Sequence, residues 1–406
     1  MNWKLFFVVL LTLQTAFQLL LQAVQYKSAN NKTPANVADV YDAKTYQRWK
    51  QYSADGCKLG FVRTLAAYVL SLVLLCTNAY AAFAGLFPGS MFMQLLAVLL
   101  LENVASALAF AGFEYVNTMV IEEKYGFNRS TMKTFLIDRV RSFLVEMALS
   151  LVLMLILAWL HLGLGDWVIV LFTAVVFVLT LVISFLYPIL SRLGNKFVPL
   201  EEGELRDRLM QLLTKHGYQV KAIEVMDASR RTTKLNAYFT GFGKMKTIVL
   251  FDNLVNAMST EEICAVFAHE LGHGLHKDVL KRQIMNLGNL FLMAVMVWIA
   301  VKIPAMHTAF GFAEVNYGFA FILLSLLLGM VQPLTGMLMN AYSRMAEYRA
   351  DLQAVKEGYG PYLAAGLKKL AKENFSHLAP SKLLVTLEYS HPPLSERIAA
   401  LEKAMK

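Results

Sequence analysis

Hydrophobic residues concentrate in seven long runs, at 4–24, 61–87, 91–118, 143–163, 167–190, 284–303 and 318–342. A helix needs roughly 20 apolar residues to cross a bilayer, so the pattern predicts seven membrane-spanning helices. The first run is long for a signal peptide and no small-x-small cleavage site follows it, so it reads as an uncleaved span. Two stretches, 191–283 and 343–406, are patterned like soluble protein. In the first, 201–216 has the period of an amphipathic helix, and Val220–Met226 alternates like a strand. Asn236–Thr240 and Thr247–Phe251 flank Gly241-Phe-Gly243 as the arms of a hairpin would. Ser259-Thr-Glu-Glu262 carries the capping-box pattern that opens a helix. The chain is therefore expected to divide into membrane helices 1–5 over residues 1–190, a soluble part over 191–283, membrane helices 6–7 over 284–342, and a helical soluble part over 343–406.

The loops alternate in charge. The loop at 25–60, with Arg63 just inside the next span, holds seven Lys and Arg; the loop at 119–142 holds five. The opposite turns, 88–90, 164–166 and 304–317, hold none, and of 38 Lys and Arg in the chain only Lys4 and Lys302 fall on that side. Basic loops stay in the cytoplasm, which puts the C-terminus and both soluble parts there and the N-terminus outside.

Composition agrees: 57% of residues are hydrophobic and 17% charged, against roughly 25% charged in average soluble chains. The net charge of +9 resides in loops between apolar runs, so it reports membrane topology and not a nucleic-acid partner. Cys57, Cys76 and Cys264 form neither a C-x-x-C pair nor an even disulfide set. Some spans carry polar groups that lipid penalises: Gln14, Gln18 and Gln22 recur every four residues, and Glu102, Asn103, Glu114 and Glu146 lie on the third and fourth. Helix–helix hydrogen bonding accounts for the glutamines; intramembrane carboxylates point to a bundle interior or a water-filled chamber.

The chemistry sits at His269-Glu270-Leu-Gly-His273. Two histidines four apart on a helix lie one turn up the same face, about 6 Å along the axis, and can reach one Zn²⁺. Glu270 can then take a proton from a metal-activated water attacking a peptide carbonyl. The string alone is moderate evidence, since a surface helix can carry two histidines by chance. Gly272 argues against a merely structural helix, where glycine costs about 1 kcal/mol.

Catalytic zinc keeps three protein ligands and an open position. Topology selects the third. His161, His307 and Glu314 fall on the outer side, and Asp278, read as continuing the motif helix, would point away. Spans 6 and 7 form an antiparallel hairpin, which returns Glu347 to the cytoplasmic side beside His269 and His273. Asp351, one turn further, suits a partner that holds a histidine N–H. The competing reading of Glu347 is a solvated carboxylate paired with Arg349.

With these motifs the chain resembles the type I CAAX prenyl protease family, membrane zinc endopeptidases that process prenylated C-termini. The resemblance spans essentially the whole sequence. It rests on Glu122-Glu-Lys-Tyr-Gly-Phe-Asn128, Asn236-Ala-Tyr-Phe-Thr-Gly241, His269-Glu-Leu-Gly-His273, Glu347-Tyr-Arg-Ala-Asp351 and His391-Pro-Pro-Leu-Ser-Glu-Arg397. It implies an α-helical membrane protein with seven helices around a water-filled chamber and a cytoplasmic zinc protease domain containing a small β-sheet. It further implies that Asn236 binds substrate backbone, that His391 and Arg397 line the active site, and that the substrates are peptide or protein C-termini, prenylated or membrane-associated. The chain is shorter than eukaryotic members and carries no obvious retention signal. A bacterial cytoplasmic membrane is therefore expected, or the endoplasmic reticulum if the source is eukaryotic.

Other classes compete less well. An intramembrane protease would bury its motif in an apolar span, whereas Glu261, Glu262, Lys277 and Lys281 flank this one. Heat-shock membrane zinc proteases share the soluble motifs but have about four spans. A transporter or scaffold with a degenerate protease domain would be expected to lack a ligand or the glutamate base.

Overall fold

The computed structural model of the chain describes residues 1–190, 192, 194–240 and 245–406. All seven apolar runs are largely helical, the second breaking after Cys76 before a short helix, Ala79–Ala84. Among the described residues six helices are long and apolar enough to cross a membrane: Trp3–Ser28, Ala43–Cys76, Met91–Glu122, Met132–Trp167, Asp278–Lys302 and Tyr317–Lys356. The run at 167–190 forms the helix Val168–Leu190, whose described apolar part, Val170–Ile183, is shorter than the roughly 20 residues a span requires. Leu13, Leu108, Trp159 and Leu338 are each more than half exposed on these helices, an arrangement stable against lipid but not against water. Between the helices, Phe7, Leu75, Leu95, Leu157, Phe310 and Phe319 form one buried core.

Several helices outrun their apolar stretches. The second starts at Ala43 in polar sequence, where the Asp42 carboxylate accepts the Thr45 N–H at 2.8 Å, an N-cap that supplies what hydropathy does not. The fourth starts at Met132, capped by Thr131. The seventh runs without a break from Tyr317 to Lys356, through Pro333. Its first half packs in the membrane core and its last turns carry Glu347 and Asp351. The two basic residues on the side otherwise free of Lys and Arg are both engaged. Lys4 Nζ donates to the Cys76 carbonyl at 3.0 Å and to Asn78 Oδ1 at 2.8 Å, and Lys302 pairs with Asp166 at 2.6 Å.

The intramembrane polar groups are mostly satisfied between helices. Tyr80 donates to Glu102 at 2.5 Å, Arg63 and Arg139 both pair with Glu114, at 3.0 and 3.5 Å, and Gln14 donates to the Leu326 carbonyl at 2.5 Å. Glu146 is exposed.

The soluble part is built on a four-stranded mixed sheet: β1 Phe197–Pro199, β2 Gln219–Met226, β3 Ala237–Thr240 and β4 Met245–Phe251. The strand order is β1-β2-β4-β3, so β3 is an edge strand. β2 and β4 run parallel, and β3 pairs antiparallel with β4, Ala237 opposite Leu250 and Thr240 opposite Thr247. The expected hairpin arms are therefore paired; the expected turn, Gly241-Phe-Gly243, lies outside the described residues. The amphipathic helix forms over Glu204–Lys215. It buries Leu209 and Leu213 with Ile248 and Leu250 of the sheet and Phe267 and Leu271 of the motif helix, Thr260–Leu275.

The motif helix lies directly against the long helix Tyr317–Lys356, and Gly272 is where they touch. A Cβ at Gly272 would stand 2.8 Å from Ala350 Cα and 3.2 Å from the Ala350 carbonyl oxygen. Backbone cannot yield as a flexible side chain can. Over-packing of this kind costs about 1–3 kcal/mol, more than the ~1 kcal/mol of helix propensity an alanine recovers. Gly272→Ala is thus expected to lower the thermal unfolding midpoint of the purified protein in detergent. An unchanged or raised midpoint would show that the two helices can part at no cost.

Candidate metal centre and active site

The motif helix begins with the predicted capping box. The Glu262 N–H donates to Ser259 Oγ at 3.2 Å, and the Ser259 N–H donates to the Glu262 carboxylate at 2.9 Å. Ile263, Cys264, Phe267 and Leu271 form its buried apolar face, which leaves His269, Glu270 and His273 turned toward the long helix and the cleft beside the sheet. Burial pushes the Cys264 thiol up to about 11, as fits a residue of that apolar face.

His269, His273 and Glu347 come together. One ligand atom from each lies within 4.8 Å of the others. His269 Nε2 is 3.5 Å from Glu347 Oε2, and His273 Nε2 is 3.3 Å from Glu347 Oε1. The opposite ring nitrogens are already used. His269 Nδ1 donates to Asp351 Oδ1 at 2.8 Å and His273 Nδ1 to Asp278 Oδ2 at 3.1 Å. Ionised carboxylates only accept, so both protons sit on Nδ1 and both Nε2 lone pairs face Glu347. Glu347 Oε2 is buried and accepts no well-aligned hydrogen bond. Three lone-pair-bearing atoms converging in a buried space repel one another unless a cation stands among them. The His273 imidazole reports the same excess. Burial would depress its pKa, but the facing Glu347 carboxylate, the hydrogen bond to Asp278 and the nearby Glu270 charge outweigh that and raise it. The donor set and its electrostatics therefore fit a metal ion.

Asp278 corrects one expectation. The motif helix does not continue to it; the chain breaks at Lys277, in the left-handed region at φ 54°, and Asp278 opens the next helix, Asp278–Lys302. It turns back toward His273 and not away, 1% exposed. It lies behind the ring, so it is still no competitor to Glu347 as third ligand. Neither glycine nor proline announces the break, so the sequence offered no signal for it.

Asp351 lies behind His269, 2% exposed. Arg397, from the terminal helix Leu394–Ala404, is buried as well. It donates from Nε to Asp351 Oδ2 at 2.9 Å and from Nη2 to Asp351 Oδ1 at 2.6 Å, and its Nη1 pairs with Glu347 Oε2 at 3.2 Å. Its guanidinium thus backs the ligands in place of lining an open cleft. His391 is exposed, and its Nδ1 is 3.0 Å from Glu347 Oε2. Glu270 is half-buried and lines a small cavity with Ala237 and Tyr238 of β3 and with Val266 and Phe267. Asn236 is exposed at the entry to that edge strand, its side chain accepting the Ala237 N–H at 2.9 Å.

The lead-in to β3 is held from two sides. The Arg129 N–H donates to the Arg231 carbonyl at 2.9 Å and Lys234 pairs with Glu122 at 3.1 Å, which gives the segment Glu122–Asn128 a structural task. On the other side Asn374 accepts the Leu235 N–H at 2.9 Å and donates to its carbonyl at 3.1 Å. Sequence reasoning did not single out Asn374, because a helix-end asparagine is ordinary until its partner is known. His307 is spent at the far end of the bundle, donating to the Ala300 carbonyl at 2.8 Å and accepting the Asn316 N–H at 3.2 Å.

A bundle of apolar helices joined to a two-histidine, one-carboxylate centre with an adjacent glutamate defines a membrane metallopeptidase. Residues 199–405 match the model of peptidase family M48, and residues 22–192 match that of the CAAX prenyl protease N-terminal region, five membrane helices. The chain belongs to peptidase family M48. It is 31% identical to CAAX prenyl protease 1 of Saccharomyces cerevisiae, over 98% of this chain and 95% of the relative. It is 30% identical to a CAAX prenyl protease 1 homolog of Oryza sativa, over 96% and 94%. The crystal structure of S. mikatae Ste24p superposes with a TM-score of 0.92 at 28% identity, covering 98% of this chain and 99% of that one. The protein is accordingly an integral membrane metalloprotease acting on peptide or protein substrates.

Arg397 is the sole guanidinium that Asp351 and Glu347 share among the described residues. Removing one partner of a buried ion pair costs about 3–5 kcal/mol, because the remaining charge is left uncompensated. Arg397→Ala is expected to lower the unfolding midpoint well beyond what a surface arginine would, by thermal melting in detergent. A loss no larger than for Arg206→Ala, a surface control, would show that the two carboxylates do not depend on it.

Proposed function

We propose that the protein is a zinc-dependent endopeptidase that cleaves near the C-termini of membrane-associated proteins, prenylated ones included, with its active site on the cytoplasmic face. The observation that carries this reading is the convergence of two Nε2 atoms and one buried carboxylate, their far nitrogens tied to Asp351 and Asp278. The distribution of basic residues supports the orientation, and the names of the yeast and rice relatives support the substrate class. Carboxylates on the spans, Glu146 exposed among them, support a hydrated chamber between the helices.

His269, His273 and Glu347 would hold the zinc. When bound, it supplies Lewis acidity for the scissile carbonyl and for the attacking water. Glu270 takes the proton of that water and passes it to the leaving amine. An extended substrate adds to the free edge of β3, where Asn236 receives its backbone. His391, exposed beside Glu347, donates to the oxyanion as charge develops on the carbonyl. Arg397 positions Asp351 and Glu347 and does not itself touch substrate.

Purified protein should carry zinc removable by a chelator. Glu347→Ala should lower its zinc content, since two histidines leave the site a ligand short. Glu270→Gln should keep zinc and fold while peptide hydrolysis falls by about 10²–10⁴-fold, as on loss of a positioned base. Hydrolysis undiminished in Glu270→Gln, with contaminating proteases excluded, would sink the enzymatic reading.

Orientation is tested by labelling with an impermeant thiol reagent in intact cells, in a background in which exposed Cys76 is replaced. Thr308→Cys should react from outside and Asn30→Cys should not. The reverse pattern would place the active site on the other face.

A further inference from the structure

The two zinc-site histidines are backed in the same way from opposite sides. His269 donates to Asp351, which Arg397 grips. His273 donates to Asp278, whose other oxygen, Oδ1, accepts from Tyr342 Oη at 3.0 Å and from Arg349 Nη2 at 2.8 Å. The second arrangement spans three pieces of chain: the motif helix, the first residue of the helix Asp278–Lys302, and the long helix that also carries Glu347. Asp278 is 1% exposed, so each of its contacts is made out of water, where orientation matters most.

We propose that Asp278 is a positioning residue for the metal: it holds His273 in the tautomer whose Nε2 is free to bind, and Tyr342 and Arg349 fix which of its oxygens faces the ring. The inference rests on the zinc-site reading above. Its chemistry makes an unusual demand. In Asp278→Asn the amide oxygen must take the Oδ1 place, because Arg349 there can only donate. The amide NH₂ is then left facing His273 Nδ1. It donates, Nδ1 becomes the acceptor, and the ring proton moves to Nε2, the atom the metal needs. Asparagine is thus worse than its near-identical shape suggests. A residue that only fills space would show the opposite order, asparagine mild and alanine severe.

The experiment is a zinc competition against a chromophoric chelator, on full-length protein in detergent, with apo-protein melting followed in parallel. Asp278→Asn should bind zinc about 10–100-fold more weakly than wild type, the range expected for loss of such a partner. Its loss should equal or exceed that of Asp278→Ala, where water can still accept from Nδ1. Tyr342→Phe should weaken binding in the same direction and by less. Asp278→Asn with wild-type zinc affinity would overturn the proposal, as would a deficit in alanine alone. If the alanine variant does not fold, the asparagine comparison with wild type decides by itself. Wild-type protein that binds no zinc would instead overturn the site reading on which this one stands.

Discussion

The active site depends on the contact between the motif helix and the long seventh helix. His269 and His273 come from one and Glu347 from the other, and their ligand atoms must lie within a few ångströms. That is closer than two helices with ordinary side chains between them allow, since interaxial distances of 8–10 Å reflect what the contact residues occupy. Gly272 against Ala350 removes the obstacle. The glycine lies one residue before His273, so the backbones touch where the two histidines meet Glu347. The ~1 kcal/mol that glycine costs a helix is offset by the centre it permits.

Close approach creates an electrostatic problem. Asp278, Asp351 and Glu347 are three carboxylates, each at most 5% exposed, packed around two imidazoles. Isolated buried charges of this kind are not tolerated. Arg397 answers for Asp351 and part of Glu347, and Arg349 for Asp278. One negative charge and two bare nitrogens remain at the centre. The same residues thus explain the stability of the folded site and its appetite for a cation. The arginines sit behind the carboxylates, which leaves the front of the centre open to His391, Glu270 and the edge of β3.

Features tied to a period or a spacing were legible in the sequence. The seven apolar runs are largely helical, the capping box at Ser259 formed, and the hairpin topology of the last two spans led to Glu347. The errors came where a helix began or ended without a chemical mark. Polar residues 43–60 and 343–356 continue membrane helices into the soluble layer, because caps and packing extend a helix beyond what hydropathy records. Lys277 breaks a helix in a left-handed conformation that lysine rarely adopts. An expectation built on continuous 3.6-residue periodicity therefore aimed Asp278 the wrong way. Arg397 could be assigned to the site by resemblance, but its place behind Asp351 follows from the docking of the terminal helix, which no local pattern encodes.

The continuity of the long helix has a mechanical consequence. Leu334 and Leu338, more than half exposed, and Glu347 and Asp351 belong to one uninterrupted helix, so Glu347 sits at a fixed height above the lipid-facing residues. Asp278, behind the other histidine, opens the helix of the sixth apolar run. Both sides of the centre are therefore anchored to membrane helices, while the strand edge and Glu270 belong to the soluble layer. The edge strand β3 and Glu270 border one small cavity beside that anchored centre. A centre anchored on both sides in this way keeps a fixed distance from the bilayer.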